Sequence, residues 1–124
     1  ALDLAGVNDV TGGSSGDGPD LARALGGRDP SRPVVLLAHQ PILVHQAAAH
    51  GVDLQLSGHT HGGQLAPFNL LVPLQQPVVA GLASFPRAGG GRTQVYVTRG
   101  AGAWGPPVRV GAPPEITLIE LRAG

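Results

Sequence analysis

Glycine and proline punctuate this chain so densely that long regular elements have nowhere to form. Twenty glycines and 12 prolines are spread over 124 residues. A helical bundle or coiled coil needs long runs of good helix formers, so this punctuation favours short strands, turns and loops. The Leu, Ile, Val and Phe content still exceeds that of a disordered chain, so a packed core is expected, and the length is that of one small domain. No apolar run is long enough to cross a membrane, and no basic-then-apolar leader is present. Eight basic residues balance eight acidic ones, which leaves no electrostatic footprint for nucleic acid or an anionic membrane. Cysteine is absent, which excludes disulfides and thiolate metal sites and leaves the compartment open. Methionine is absent too, even at position 1, so the chain is expected to be processed, trimmed or part of something longer.

Along the chain, residues 2–6 alternate apolar and polar as a short strand, and Asn8 to Gly18 reads as a loop. Asp17 is placed to cap a short helix, with Pro19 in its first turn and Leu21, Ala22 and Leu25 on one face. Pro33-Val-Val-Leu-Leu-Ala38 is continuous and rich in β-branched residues, the pattern of a strand buried on both faces. Ile42 to His50 reads as a helix closed by Gly51, and Asp53 to Ser57 as a second strand. Residues 33–57 thus form a strand–helix–strand unit with a parallel crossover. Later segments are strand-rich: Val78-Val-Ala80, Thr93 to Thr98 after the turn-forming Gly89-Gly-Gly91, and Glu115 to Arg122, the cleanest alternation in the chain.

Three histidines stand out against this background. His39 ends one predicted core strand. His59 and His61 lie just past the next, in Gly58-His-Thr-His-Gly-Gly63. Ligands of open α/β sheets bind beyond the carboxyl ends of strands, and parallel neighbours bring such ends together. Imidazole is a ligand for zinc, manganese and iron-type ions. Extended chain sends alternate side chains to opposite sides, so at i, i+2 spacing His59 and His61 chelate one ion poorly and suit two adjacent ions, one each. Taken alone, a His-x-His pair is more often a satisfied structural feature than a metal site. His45 and His50 fall on the predicted helix, where packing and the helix dipole account for them. Gln64, just past the motif, is read either as a loop residue or as a substrate contact.

Leu36-Leu-Ala-His-Gln-Pro41 and Gly51-Val-Asp-Leu-Gln-Leu-Ser-Gly-His-Thr-His-Gly-Gly-Gln64 resemble the calcineurin-like metallophosphoesterases. Tyr96 to Arg109 and Gly111 to Leu121 are similar to the C-terminal end of one bacterial branch, often exported or membrane-associated. Gly6-Val-Asn-Asp9 fits the strand-end pattern that precedes its first histidine. The resemblance implies an α/β chain of α+β sandwich type, the C-terminal half of a four-layer fold. It comprises one βαβ unit followed by a strand-rich segment: a single partial domain over 1–124, divided at about 1–32, 33–64 and 65–124. It also implies a dinuclear divalent metal centre (Mn, Zn or Fe), with His39 and His59 on one ion and His61 on the other. The reaction implied is hydrolysis of a phosphomonoester or phosphodiester, the ions activating water and neutralising the phosphoryl oxygens.

One departure is large. The family's first-half motifs, Asp-x-His, Gly-Asp-x-x-Asp and Gly-Asn-His-Glu, have no convincing counterpart. Gly16-Asp-Gly-Pro-Asp20 spells the second, but no apolar strand leads into it, and it is read as a chance match and a helix cap. Three neutral imidazoles offer no negative charge to two dications, so the chain by itself is expected to bind one ion weakly and to be inactive. The missing layer also leaves apolar sheet surface bare, which predicts pairing with an N-terminal half or with a second copy. The leading expectation is therefore a metallophosphoesterase to which this chain contributes one half. The alternatives are a non-catalytic binding or dimerisation module and a simple zinc-binding protein built on the same three histidines. Catalytic residues, substrate and localisation are not assigned by the sequence.

Overall fold

The computed structural model describes residues 1–65 and 71–122. Five short strands form one mixed sheet: β1 (Asp3–Gly6), β2 (Val34–Leu37), β3 (Leu54–Ser57), β4 (Gly81–Pro86) and β5 (Arg92–Val97). Their order across the sheet is β1-β2-β3-β5-β4. The first four in that order run parallel, and β4 closes one edge as the antiparallel arm of a hairpin with β5. Two brief helices connect them, α1 (Leu21–Ala24) and α2 (Val44–Ala49). This is the α/β architecture expected, with one βαβ unit leading into a strand-rich remainder.

Register explains which side chains meet. Leu36 pairs with Gln55, and Gln55 with Val95. Partners in parallel strands share a face, so these three look the same way, toward the helices. That face is dry: Val34, Leu36 and Ala38 pack with Leu21, Leu25, Leu43 and Ala47, while Val44 packs with Val95 and Val97. Each buried Val or Leu side chain contributes about 1.5–3 kcal/mol. The opposite face carries Leu4, Leu37 and Leu82, which remain 66%, 45% and 63% exposed. β2 is therefore not buried on both faces as its continuous apolar run predicts. Val35 is covered, and Leu37, near the strand's end, is not.

Several local expectations are corrected. The cap of α1 is Asp20, not Asp17: Asp20 Oδ1 accepts from the Arg23 N–H at 2.9 Å. Asp17 instead closes a 3-10 turn (Val10–Ser15) by donating its N–H to the Gly12 carbonyl. Helix α1 is so short that only Leu21 and Leu25, one turn apart, reach the core, and Ala22 faces solvent. The helix after β2 begins as a 3-10 turn, Pro41–Leu43, before turning α-helical. It ends at Gly51, whose φ of 73° is the left-handed geometry that glycine supplies at little cost. Val78-Val-Ala80 is not a strand. The Val79 carbonyl is taken by the Thr60 hydroxyl at 2.5 Å, and pairing with β5 starts at Gly81. Gly89-Gly-Gly91 forms the hairpin turn.

The most regular alternation, Glu115 to Arg122, joins no strand among the described residues. Alternation makes a segment competent for a sheet, but a ladder also needs a free edge within reach. Ile116 and Leu118 are 93% and 97% exposed.

Candidate functional site

Four parallel strands end side by side, and each delivers a polar residue to the same rim. Asp9 follows β1, His39 follows β2, His59 and His61 follow β3, and Thr98 and Arg99 follow β5. The rim is held by main-chain bonds that carry the ladder past the strand ends: Ala38 N–H to Leu56, Gly58 N–H to His39, and Thr98 N–H to Ser57.

His39 and His59 meet edge to face, with ring centroids 5.1 Å apart and planes at 77°. Asp9 completes this group, its Oδ2 3.9 Å from His39 Nε2. Its other oxygen accepts from the Thr11 N–H and hydroxyl and from Gln40 Nε2. Those Thr11 bonds, aided by His39 and Gln40, hold the Asp9 carboxyl below its ordinary range. Asp9 therefore adds a negative charge that counting imidazoles misses. Its sequence signal was its place at a strand end, with nothing to mark it as a donor. Partial burial, then the neighbouring His39 and His61, push the His59 imidazole below its usual value, against the opposing pull of Asp9. A depressed pKa keeps His59 neutral and its lone pair available near neutral pH.

His61 is brought to the same rim, where it meets Arg109. Its Nδ1 lies 3.2 Å from an Arg109 guanidinium nitrogen. A guanidinium only donates, so Nδ1 is the acceptor in this contact. The spacing argument for the two histidines rested on extended backbone, and the backbone here is not extended. His59, His61 and Gln64 have φ of 68°, 50° and 44°, the left-handed region. Among the described residues, no other non-glycine residue adopts it. Such strain survives only where surrounding bonds impose it, and it concentrates at functional sites.

For His61 and Gln64 those bonds come from the segment after β5. Arg109 donates to the carbonyls of His61, Arg99, Gly100, Gly102 and Ala112. Gln64, buried, brackets the Trp104 loop through its side chain and accepts the Val110 N–H on its carbonyl. Gln64 is thus occupied in holding a loop. Glu115 fastens the end of the segment by accepting from the Arg99 N–H and the Tyr96 hydroxyl, both at 3.1 Å. At Gly62, whose φ is 63°, an added Cβ would lie 3.0 Å from the Arg99 side chain and 3.3 Å from Ala112, so glycine lets these layers pack closely without either side chain shifting. His45 and His50 stay outside the site: His45 packs edge-on against Phe85, and His50 Nδ1 meets the Gln46 carbonyl.

Beneath His39 an open hollow of about 390 Å³ is floored by Val7, Leu37 and Leu56 and rimmed by Gly58 and Thr98. The hollow runs onto the sheet's bare face. The donor set at the rim is imidazole plus carboxylate, the chemistry of zinc, manganese and iron sites. His39, His59 and Asp9 fit one ion in type. His61 contacts Arg109 at the same rim. Among the described residues, no three His, Asp or Glu side chains are grouped closely enough to hold an ion as they stand. Among those residues, no helix is long and apolar enough to cross a membrane.

The fold defines a class, α/β proteins with a rim of parallel strand ends, and comparison narrows it. The chain is 46% identical over 122 residues to an uncharacterized metallophosphoesterase of Helicobacter pylori, covering 97% of this chain and 32% of that protein. It is 42% identical over 125 residues to a transmembrane protein with metallophosphoesterase domain from Bos taurus, covering 97% and 27%. A UDP-2,3-diacylglucosamine pyrophosphatase of Chlamydia muridarum is 34% identical over 111 residues, covering 82% and 32%. The chain belongs to the calcineurin-like metallophosphoesterases. It spans about a third of the length of the curated relatives it matches. No family model matches, and no solved structure does.

Proposed function

We propose that this chain contributes one part, a single partial domain over residues 1–124, to a metal-dependent phosphoesterase. The reading rests on one observation: His39 and His59 meet beside the Asp9 carboxylate at the ends of adjacent parallel strands. In this reading His39, His59 and His61 hold divalent ions, Mn, Zn or Fe, and two ions are held in the whole protein. Bound ions would supply Lewis acidity toward a phosphoryl oxygen and a more acidic water. The chain's own residues do the rest. Asp9 orients His39 and offsets cationic charge. Arg109 fixes the His61 backbone and must give up its contact with Nδ1 if that nitrogen is to ligate. The substrate class is a phosphate ester, and the relative named a pyrophosphatase is compatible with a phosphoanhydride as well. The remaining donors are supplied by a further segment of the protein or by a partner.

The protein as its source organism makes it tests this directly. Intact mass far above 12.5 kDa, together with Mn²⁺-dependent hydrolysis of bis(4-nitrophenyl) phosphate or 4-nitrophenyl phosphate, is the expected result. A product that takes up no Mn²⁺, Zn²⁺ or Fe²⁺ and hydrolyses neither ester overturns it.

A second reading, a binding or dimerisation module without catalysis, is favoured by the bare apolar sheet face at Leu4, Leu37 and Leu82. A stable, inactive homodimer with a mass near 12.5 kDa per chain would select it.

A further inference from the structure

Gln55 is an unusual residue for the middle of a central strand. It is fully buried on the helix-facing side of β3. Its Nε2 donates to Ser57 Oγ at 2.9 Å and to the Gln40 carbonyl at 3.3 Å. The amide cannot be reversed, because the Gln40 carbonyl can only accept. Its Oε1 is buried and has no hydrogen-bond partner among the described residues. An orphaned buried acceptor destabilises the fold, and an apolar residue of the same size would remove that cost. Stability alone therefore does not account for Gln55.

Its bonds point to another account. Ser57 Oγ donates to the Ala38 carbonyl at 2.7 Å, and the Gly58 N–H donates to the His39 carbonyl at 3.0 Å. Together with Gln55, the tip of β3 thus holds three consecutive carbonyls, those of Ala38, His39 and Gln40. Two of the three bonds come from side chains, placed where the β2–β3 ladder runs out. We infer that Gln55 and Ser57 are positioning residues that extend this ladder and fix the backbone of His39, and so the direction of its ring toward His59 and Asp9. The effect on metal binding rests on the proposed ligand role of His39; the restraint of its backbone does not.

Gln55→Met keeps the volume and removes both bonds. Two readouts are taken on the full chain prepared metal-free: exchange of the Gly58 amide, whose hydrogen bond ends on His39, and Zn²⁺ affinity by calorimetry. The thermal midpoint is expected to stay level or rise while Gly58 exchanges at least about tenfold faster. Zn²⁺ is expected to bind about tenfold more weakly, the low end of the roughly 10–100-fold cost of disturbing groups that orient ligands. Ser57→Ala, which deletes one buried oxygen, carries the same test if Gln55→Met does not fold. Wild-type Gly58 exchange in the variant, or a lowered midpoint with Zn²⁺ affinity unchanged, overturns the inference. If the wild-type chain takes up no Zn²⁺, the ligand role of His39 fails, and the exchange comparison alone decides the positioning role.

Discussion

The rings of His59 and His39 meet edge to face, 5.1 Å apart between centroids, and His59 gets there from a left-handed backbone with φ of 68°. The turn that costs the chain conformational energy is the same turn that aims the imidazole. Left-handed geometry costs an L-residue roughly 1–2 kcal/mol, and glycine escapes it.

Replacing His59 therefore separates strain from ligation. His59→Gly should be more stable than His59→Ala by about 1 kcal/mol in urea unfolding, since only the former relieves the backbone. Both should lose Zn²⁺ binding measured by calorimetry. Equal stabilities would show that the turn is not strained, and retained Zn²⁺ binding would remove His59 from the site.

Arg109 is expected to be irreplaceable by lysine. Its planar fork reaches five carbonyls around the rim, and an ammonium cannot span them. Arg109→Lys should cost about 2–3 kcal/mol, judged from the loss of several hydrogen bonds to a charged donor. Urea unfolding checks this, and an unchanged midpoint would mean the segment after β5 is held by Gln64 and Glu115 alone.

Acid should loosen that same segment. The Arg99 N–H, followed by the Tyr96, Thr98 and Thr117 side chains, holds the Glu115 carboxyl below its ordinary 4.5. A carboxylate whose folded pKa lies below its unfolded one stabilises the fold above the unfolded value, and that stability is lost as pH falls through the folded one. The wild-type chain should therefore lose stability below about pH 4.5, and Glu115→Gln should flatten this part of the curve. Thermal midpoints between pH 3 and 7 (roughly the carboxylate range) make the comparison. Parallel curves for the two proteins would exclude Glu115 as the titrating group.

The bare sheet face should make the isolated chain self-associate. Leu4 and Leu82 both lie on it. Changing both to Glu should shift light-scattering mass toward the monomer. Stability should change by no more than about 0.5 kcal/mol per site, as for surface substitutions. A wild-type chain that is already monomeric at high concentration would rule out this face as a sticky one.

The strands that build the rim were legible because their signals are local. A run such as Val34 to Ala38 and the alternation from Asp53 to Ser57 reflect burial that each residue carries in its own side chain, and Gly51 marks a helix end by its backbone freedom. Alternation also marked Glu115 to Arg122, and there it misled, because a strand exists only when another edge accepts it. Val78 to Ala80 failed for the same reason: Thr60 claims its carbonyl from elsewhere in the chain.

By itself, the sequence determined the α/β class, the βαβ unit and the two strand ends from which His39, His59 and His61 emerge. These follow from periodicity and from the parallel crossover. Only the tertiary structure decided which imidazoles face one another, that Asp9 joins them from a third strand, and that Arg109 contacts His61. Those facts depend on ring direction and long-range hydrogen bonds, set by turns of left-handed backbone and by residues as many as 48 positions apart in the chain. No local pattern encodes such distances, because the energy that fixes them arises only after the strands have paired.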